Sequence, residues 1–388
     1  MKVLILSTYA TTGGAAIAAN RLMHALNSNG VEATMLCRKH ITWGPARLRK
    51  QSWASIWERV VIWAGNGFST KNLWAMDIAN CGEDVTRTEA FKEADVIHLH
   101  WVNQGFLSLD TIRKIVQSGK RVVWTMHDEW PLDSVWHYTE GTMPASPLAD
   151  KVLAEKQKIY SEGRITFVTC SRWLCDIARK KPLGMTQEVV SVPNPIDMTV
   201  FHPMDKAVTR TELGLPKDER LILYACQKVT DIRKGVAYLI DAMAEVDGVG
   251  VVLVGGNTDD VKALMPQNVK VYSLGAIRDV DKMAKIYAAV DAFVTPSLQD
   301  NLPNTIMESM SSGTPCVGFN VGGIPEMIDD KVNGYVSEYK NAHDLAAGIR
   351  YVLDPSRRET LSRACLEKVR TCYGETAVAE KYIEVYKS

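Results

Sequence analysis

Two acidic residues flank the start of a proline-led helix in PSLQDNLPNTIMESMSSGTPCVGFNVGG, residues 296–323. Pro303 suits the first turn of a helix, where a missing N–H costs nothing. The free amides of that turn, around Asn304 and Thr305, carry partial positive charge and therefore suit a phosphate. Glu308 follows about one and a half turns later, since a helix has about 3.6 residues per turn. The pattern predicts an anion site at the helix start.

The two carboxylates of this segment suit sugar hydroxyls. Glu308 would accept hydrogen bonds from a sugar such as a ribose, because an ionised carboxylate is only an acceptor. Asp300, directly before the helix, would hold the hydroxyls of a second sugar, and we include the neighbouring Asn301 among the substrate-binding residues. The spacing alone is equally compatible with a capped helix that carries two solvated acids.

Two lysines follow a predicted strand in QKVTDIRKG. Lys228 ends the strand, and Lys234 lies six residues later at a predicted helix start. Two ammonium groups that converge at the carboxyl end of a strand could neutralise a diphosphate. The alternative is a pair of surface lysines on a loop.

The first half of the chain begins with a glycine-rich turn between a predicted strand and helix, STYATTGGAA. Gly13 and Gly14 would let the backbone approach a ligand closely. The turn lacks the G-x-G-x-x-G pattern, and no acidic residue ends the second strand at MLCRKH. These two absences argue against a dinucleotide-dependent oxidoreductase.

A histidine ends another predicted strand in VVWTMHDEW. His127 at a carboxyl end would face a ligand and would bond a sugar hydroxyl or assist proton movement. A capping or core histidine is the alternative.

Other titratable residues do not make a metal site. His98 and His100 share one strand face by their period of two, but they have no carboxylate pattern beside them. The DVD at 279–281 opens a predicted helix, so Asp279 or Asp281 is expected to be its N-cap. We therefore predict no obligatory metal and no cofactor.

Short apolar runs alternate with amphipathic ones along the chain, as in KVLILST, GAAIAANRLMHALNSNG and RVVWTMHD. Such alternation indicates α/β structure with a parallel sheet covered on both faces. SVPNPIDMTVFHP interrupts it with two X-Pro steps typical of a linker. The alternation then restarts, which predicts two doubly wound domains, 1–195 and 196–370, and a helical tail at 371–388.

Composition limits the partners and the compartment. The 388 residues have a formal net charge of zero, which gives a nucleic-acid partner no global electrostatic support. Eight scattered cysteines form no CxxC pair, so free thiols in a reducing compartment are expected. The apolar run VLIL is too short for a secretory signal, and no apolar stretch approaches bilayer length. These features predict a cytoplasmic protein.

The segment 38–63, RKHITWGPARLRKQSWASIWERVVIW, mixes basic residues with tryptophans. This mixture suits either the surface of an anionic membrane or an amphipathic helix docked on its own domain. The members are Arg38, Lys39, Arg47, Arg49 and Lys50 with Trp43, Trp53, Trp57 and Trp63.

The segment DNLPNTIMESMSSGTPCVGFNVGGIPEMI resembles the E-x7-E segment of retaining glycosyltransferases of family 4, which have the GT-B fold. HLHW and HDEWP…HY resemble a branch of that family that builds bacterial surface polysaccharides. The resemblance spans nearly the whole chain. The family's acidic pair corresponds to Asp300 and Glu308, and its cationic pair to Lys228 and Lys234. Its glycine turn corresponds to Gly13 and Gly14, and its cleft histidine to His127.

Three positions depart from the family pattern. Asp300 replaces the usual first glutamate, and its shorter side chain changes the contact with the donor sugar. Lys228 replaces the usual arginine, which keeps the charge but loses bidentate phosphate contact. DSVWHY stands where TGGCHY is expected.

The resemblance implies two Rossmann-like domains with a deep cleft between them. The nucleotide sugar would bind the second domain, a glycan or lipid-linked acceptor would lie against the first, and the C-terminal helix would cross back to the first domain. It implies retaining, metal-independent hexosyl transfer in surface polysaccharide (lipopolysaccharide) synthesis, at the cytoplasmic face of the inner membrane. Two alternatives stay open: a sugar-nucleotide epimerase, and a nucleotide-sugar-binding protein with weakened catalysis.

Overall fold

The computed structural model describes residues 1–39, 52–138 and 146–388. The basic, tryptophan-rich segment 38–63 is therefore described only in part. The predictions that fall outside the described residues concern Trp43, Arg47, Arg49 and Lys50.

The described chain divides into two compact units. The first consists of Met1–Pro195 together with Val378–Ser388, and the second of Ile196–Ala377. The predicted linker SVPNPIDMTVFHP contains the change from the first unit to the second.

A parallel sheet forms the centre of the first unit. Its strands in the described residues are β1 (Lys2–Ser7), β2 (Glu32–Cys37), β3 (Val96–Leu99), β4 (Arg121–Met126), β5 (Thr166–Thr169) and β6 (Glu188–Ser191). They pair in the order β2-β1-β3-β4-β5-β6, and every pairing is parallel. The carboxyl ends of all six strands therefore lie at one edge of the sheet.

Helices connect these strands, as parallel pairing requires. They are α1 (Gly14–Ser28), α2 (Trp53–Gly65), α3 (Glu89–Glu93), α4 (Leu109–Val116), α5 (Pro147–Ser161) and α6 (Arg172–Lys180). Serine side chains begin three of them: the hydroxyl oxygens of Ser52, Ser108 and Ser171 accept a hydrogen bond from the backbone N–H three residues later. The amphipathic run GAAIAANRLMHALNSNG forms α1, which ends at Ser28, and Gly30 follows with φ +80°.

The second unit repeats this architecture. Its strands in the described residues are β7 (Arg220–Lys228), β8 (Val249–Gly256), β9 (Val271–Gly275), β10 (Ala292–Thr295), β11 (Cys316–Phe319) and β12 (Gly334–Ser337). They pair in parallel in the order β12-β11-β10-β7-β8-β9. The predicted α/β class with two doubly wound parallel sheets is confirmed.

The remaining helices cover the second sheet and end the chain. They are α7 (Lys206–Leu213), α8 (Val236–Met243), α9 (Thr258–Lys262), α10 (Val280–Ala289), α11 (Asn304–Ser311), α12 (Ile324–Met327), α13 (Ala342–Val352), α14 (Arg358–Cys372) and α15 (Glu375–Lys387). In the ranges that the structure describes, each helix is too short or too polar to cross a bilayer.

Each face of the first sheet has its own apolar core. Leu4 and Leu6 of β1 belong to one cluster, and Val3 and Ile5 to the other, because alternate side chains of a strand point to opposite faces. The second cluster also contains Val378, Ala379, Tyr382 and Tyr386. The end of the chain therefore supplies part of the core of the first unit.

Candidate active site

The amino end of α11 lies at the carboxyl edge of the second sheet, beyond β10. The helix begins at Asn304, one residue later than predicted, and Pro303 occupies the N-cap position. Proline has no side-chain acceptor, so it forms no capping hydrogen bond with the first-turn amides. Asn304 and Thr305 are half-buried, whereas Asn301 is buried in the preceding loop. This helix start has the polarity that suits an anionic group.

The two charged residues predicted to act on the donor form an ion pair with each other. Lys234 Nζ lies 2.5 Å from Asp300 Oδ2, and both side chains are partly exposed. Lys234 ends a short 3-10 helix after β7, and Asp300 lies in the loop after β10. Because β7 and β10 are neighbours in the sheet, their following loops meet at the same edge. The sequence placed both residues at the site but did not predict their contact.

Glycines hold these two loops against each other and against the segment after β11. Gly235 has φ +69°, and a Cβ there would lie 1.8 Å from the carbonyl oxygen of Pro296. Gly322 has φ +60°, and a Cβ there would lie 1.9 Å from the carbonyl oxygen of Asp300, which also accepts the N–H of Gly323 at 3.1 Å. Only glycine fits such close backbone approaches. The sequence shows the glycine pair, but its role as a cradle for Asp300 was not predicted.

Lys228 ends β7 at the same edge. Its side chain is exposed, and its ammonium group makes no hydrogen bond or ion pair with the residues that the structure describes. The pairing of β7 with β8 is irregular between Ala225 and Lys228. An exposed cation on an irregular strand end is available to a ligand.

Glu308 is half-buried on α11 and is held by a tyrosine of α10. The Tyr287 hydroxyl donates to Glu308 Oε2 at 3.0 Å. The Tyr287 ring is fully buried and packs edge-on against Phe201 and Phe293. The carboxylate of Glu308 thus has a fixed position, and this contact was not predicted from the sequence.

The glycine turn of the first unit lies between β1 and α1, and its contact with a ligand stays a prediction. Gly13 is the N-cap of α1 with φ +91° and ψ 159°, a conformation that favours glycine. Gly13 and Gly14 are both exposed, and a Cβ at Gly13 would meet nothing within 4 Å. The space beside Gly13 is therefore open at the carboxyl edge of the first sheet.

His127 follows β4 at that edge, but its ring is engaged by protein groups. Its Nε2 lies 3.0 Å from His100 Nδ1, and its Nδ1 lies 3.7 Å from Cys170 Sγ. Burial lowers the pKa of His127 to about 4, although Asp128 opposes the shift. His127 is therefore neutral near pH 7, and its contact with a sugar stays a prediction.

His98 and His100 share one face of β3, as predicted, with ring centroids 4.4 Å apart. His98 is buried between Tyr386 and Thr125, each 2.7 Å from one of its ring nitrogens. Burial lowers the pKa of His98 to about 3. The partner on α15 is 288 residues away in the chain, so sequence spacing gave no indication of it.

His137 lies near His127 and was not singled out from the sequence. Its Nδ1 lies 2.7 Å from Asp128 Oδ2, and its Nε2 lies 2.6 Å from Asp77 Oδ2. Burial alone would lower the pKa of His137, but Asp128 and Asp77 raise it to about 10. Asp77 also pairs with Arg59 of α2. In the sequence, the only indication of a role for His137 was the HY at the end of the HDEWP…HY motif.

Metal-binding geometry is not found in the described part of the chain. No group of three or more histidine, cysteine or acidic side chains there could hold a metal ion. Asp279 caps α10 as predicted, and its Oδ1 accepts the N–H groups of Asp281 and Lys282 at 3.0 and 3.2 Å. All eight cysteines are free thiols. Metal independence stays a prediction.

Two family models match the chain. A model described as "Glycosyltransferase Family 4" matches residues 12–200, and a model described as "Glycosyl transferases group 1" matches residues 219–355. The chain belongs to the family 4 type of glycosyltransferases. The two matches divide this glycosyltransferase close to the change from its first unit to its second.

Curated relatives of this glycosyltransferase carry related names. It is 28% identical to the D-inositol 3-phosphate glycosyltransferase of Thermobispora bispora over 327 aligned residues. The alignment covers 78% of this chain and 73% of the relative. It is 30% identical to the uncharacterized glycosyltransferase MJ1607 of Methanocaldococcus jannaschii over 192 aligned residues. That alignment covers 47% of this chain and 48% of the relative.

Solved structures share the fold of this glycosyltransferase. Sucrose-phosphate synthase from Thermosynechococcus elongatus superposes with a TM-score of 0.74 at 19% identity, over 100% of this chain and 98% of that one. Anabaena HepE, solved in complex with UDP-glucose, gives a TM-score of 0.65 at 16% identity, over 100% and 99%. The predicted GT-B fold is confirmed by these similarities.

Proposed function

We propose that this glycosyltransferase is a retaining enzyme that moves a sugar from a nucleotide diphosphate sugar to an acceptor hydroxyl. The proposal rests chiefly on the start of α11, where Lys234 and Asp300 form their ion pair. Anabaena HepE was solved with UDP-glucose, which supports a nucleotide sugar as the donor here.

Each donor-side group has a proposed role. The first-turn amides at Asn304 and Thr305 bind the diphosphate, together with the ammonium groups of Lys228 and Lys234. Glu308, whose carboxylate is fixed by Tyr287, accepts hydrogen bonds from the ribose. Positive groups that are already in place stabilise the charge that grows on the leaving phosphate, and this effect can lower a barrier by several kcal/mol.

Donor binding would exchange the partners of Lys234. In the structure its ammonium bonds Asp300 at 2.5 Å. A diphosphate carries more charge than one carboxylate and would attract Lys234 away. Asp300 is then available to accept a hydroxyl of the transferred sugar, with Asn301 beside it. The ion pair keeps both groups ordered before the donor arrives.

The reaction proceeds on one face of the donor sugar. The bond between the anomeric carbon and the diphosphate oxygen breaks, and a bond from the same carbon to the acceptor oxygen forms. The acceptor hydroxyl proton passes to the departing phosphate. Glu308 is bonded to Tyr287 and is assigned to the ribose, and Asp300 is assigned to a hydroxyl of the transferred sugar. These roles leave neither acid as a covalent nucleophile, which favours the front-face route.

The acceptor is proposed to bind the carboxyl edge of the first unit, where Gly13, Gly14 and His127 lie. A glycan or lipid-linked oligosaccharide of surface polysaccharide synthesis fits the sequence motifs. Relatives named for D-inositol 3-phosphate make a phosphorylated polyol the second acceptor class to assay.

A thermal-shift panel of nucleoside diphosphates and nucleotide sugars tests the donor assignment, because a ligand that binds the native state raises the melting temperature. At least one should stabilise the wild type but not Lys234→Ala. With that donor, transfer should require an acceptor and should retain the anomeric configuration, which NMR of the product reports. Interconversion of the donor without acceptor would indicate an epimerase, and binding without turnover would indicate a protein with weakened catalysis.

A further inference from the structure

One face of α2 exposes large apolar side chains to solvent. We call it the α2 aromatic face. Its six side chains are each between 39% and 67% exposed, although single exposed apolar residues are the usual case on a protein surface. The members are Trp53, Trp57, Val60 and Trp63 on the helix, with Phe68 and Trp74 in the segment that follows it.

The same helix turns its charged residues inward. Glu58 and Arg59 are buried, and Glu58 Oε1 accepts the N–H groups of Ile78 and Ala79 at 2.9 and 2.7 Å. Arg59 pairs with Asp77. A surface helix of a soluble protein usually has the opposite arrangement, because burying charge is costly unless each charge is paired. These specific partners hold α2 with its apolar face outward.

The segment that carries this face is strongly basic. Residues 38–76 contain seven lysines and arginines and one acid, Glu58, so their net charge is +6 in a chain whose net charge is zero. Glu58 is buried, and so are Arg38 and Arg59, of which Arg59 pairs with Asp77. In its described part the segment exposes the cations Lys39 and Lys71 and no carboxylate. An apolar aromatic face on a cationic segment is complementary to a surface that has anionic groups outside and an apolar layer beneath them.

We propose that the α2 aromatic face docks on the surface of an anionic lipid bilayer. Tryptophan prefers the boundary between headgroups and acyl chains, where its ring is buried and its N–H stays hydrated. Basic residues next to such a face add attraction to anionic headgroups. A second copy of the chain is the less favourable occupant, because it would bring two basic segments together.

The buried side of α2 connects this surface to the edge where the glycine turn and His127 lie. Arg59 bonds Asp77, Asp77 bonds His137, and His137 bonds Asp128, the neighbour of His127. The helix that carries the α2 aromatic face and this edge therefore share one network of paired side chains. The docking proposal itself does not depend on which sugar or acceptor is used.

Flotation of the full chain with lipid vesicles tests the proposal. Wild type should bind vesicles of phosphatidylcholine mixed with phosphatidylglycerol more tightly than vesicles of phosphatidylcholine alone, and added salt should weaken the binding. Trp53→Gln combined with Trp57→Gln should lower the partition coefficient at least about tenfold. The control is Met185→Gln combined with Leu264→Gln, at two similarly exposed apolar positions outside the face, which should bind as wild type does.

Three results would overturn the proposal. The first is wild type that stays with neither kind of vesicle. The second is binding that the tryptophan variant retains in full. The third is a dimer, detected by light scattering without lipid, that the tryptophan variant dissociates, because a second copy would then cover the face. Both substituted positions are exposed, so thermal unfolding of the variant should match that of wild type and exclude misfolding as the cause.

Discussion

The ammonium group of Lys234 lies 2.5 Å from the carboxylate of Asp300, which joins the loop after β7 to the loop after β10. The pair is only partly exposed, and the backbone contacts of Gly235 and Gly322 fix both loops around it. The ion pair holds the Lys234 ammonium at the carboxyl edge of the second sheet. In the proposed mechanism it then has only to exchange Asp300 for the diphosphate.

Loss of the Lys234 ammonium should disable turnover. Lys234→Ala is expected to lower kcat/KM by about 10²–10³, the usual effect of removing one group that stabilises developing negative charge. The measurement is steady-state transfer with the donor found in the thermal-shift panel. Lys285→Ala is the matched control, since Lys285 forms a similar 2.5 Å ion pair with Glu212 in the same unit. Near-normal rates in Lys234→Ala would remove this lysine from the mechanism.

The carboxylate of Glu308 should matter more than its hydrogen bond from Tyr287. Glu308→Ala is expected to weaken nucleotide binding strongly, because the proposed ribose contact is lost. Tyr287→Phe keeps the buried ring and removes one hydrogen bond, so its effect should be about tenfold or less. Calorimetric titration with the nucleoside diphosphate measures both. If Glu308→Ala bound nucleotide as tightly as wild type did, the ribose assignment would be wrong.

Gly235 should tolerate alanine much less than Gly214 does. Both glycines have left-handed backbones, with φ +69° and +67°, but only Gly235 has another backbone atom where its Cβ would lie. Gly214→Ala should cost about 1 kcal/mol from its conformation alone. Gly235→Ala should lower the free energy of unfolding by clearly more and should also weaken nucleotide binding, because the loop of Lys234 must move. If denaturant titrations gave the same loss of unfolding free energy for Gly235→Ala and Gly214→Ala, the loop of Lys234 would be shown to adapt freely.

His137 should make the first unit less stable at alkaline pH. Its pKa is about 10 in the folded chain against 6.5 for a free histidine, so its protonated form is favoured by folding. That contribution is complete below pH 6.5 and is lost as the pH rises from 6.5 to about 10. The loss is about 1.4 kcal/mol per pH unit within this window. Thermal unfolding between pH 6 and 10 measures it.

The matched variant for this pH dependence is His137→Gln, which keeps polar contacts but cannot gain a proton. Its melting temperature should be lower than that of wild type at pH 6 and should approach it at pH 10. Parallel curves for the two proteins across this range would show that His137 is not protonated between Asp77 and Asp128.

The fold could be predicted where strands are buried on both faces. KVLILST and RVVWTMHD are continuous apolar runs, and they form β1 and β4 in the centre of the first sheet. The strands β6, β9 and β12 were not predicted. They are edge strands, short and only partly buried, so their sequences lack the continuous apolar pattern.

In the candidate site, the sequence predicted which residues are present but not which residues contact each other. The start of α11 and the cap at Asp279 follow from local preferences, and both were predicted within one residue. The contact of Lys234 with Asp300 depends on two loops 66 residues apart, and that of His137 with Asp77 spans 60 residues. Single-sequence reasoning identifies such groups one at a time, because their pairing is decided by the sheet order.

The return of α15 to the first unit has a consequence for how the chain is made. Val378, Tyr382 and Tyr386 complete one core of that unit, and Tyr386 bonds the buried His98. During synthesis these side chains leave the ribosome only after the whole second unit. Until then, one apolar face of the first sheet is incompletely covered. A chain interrupted before α15 would leave that face exposed, which would make it a target for chaperones and proteases.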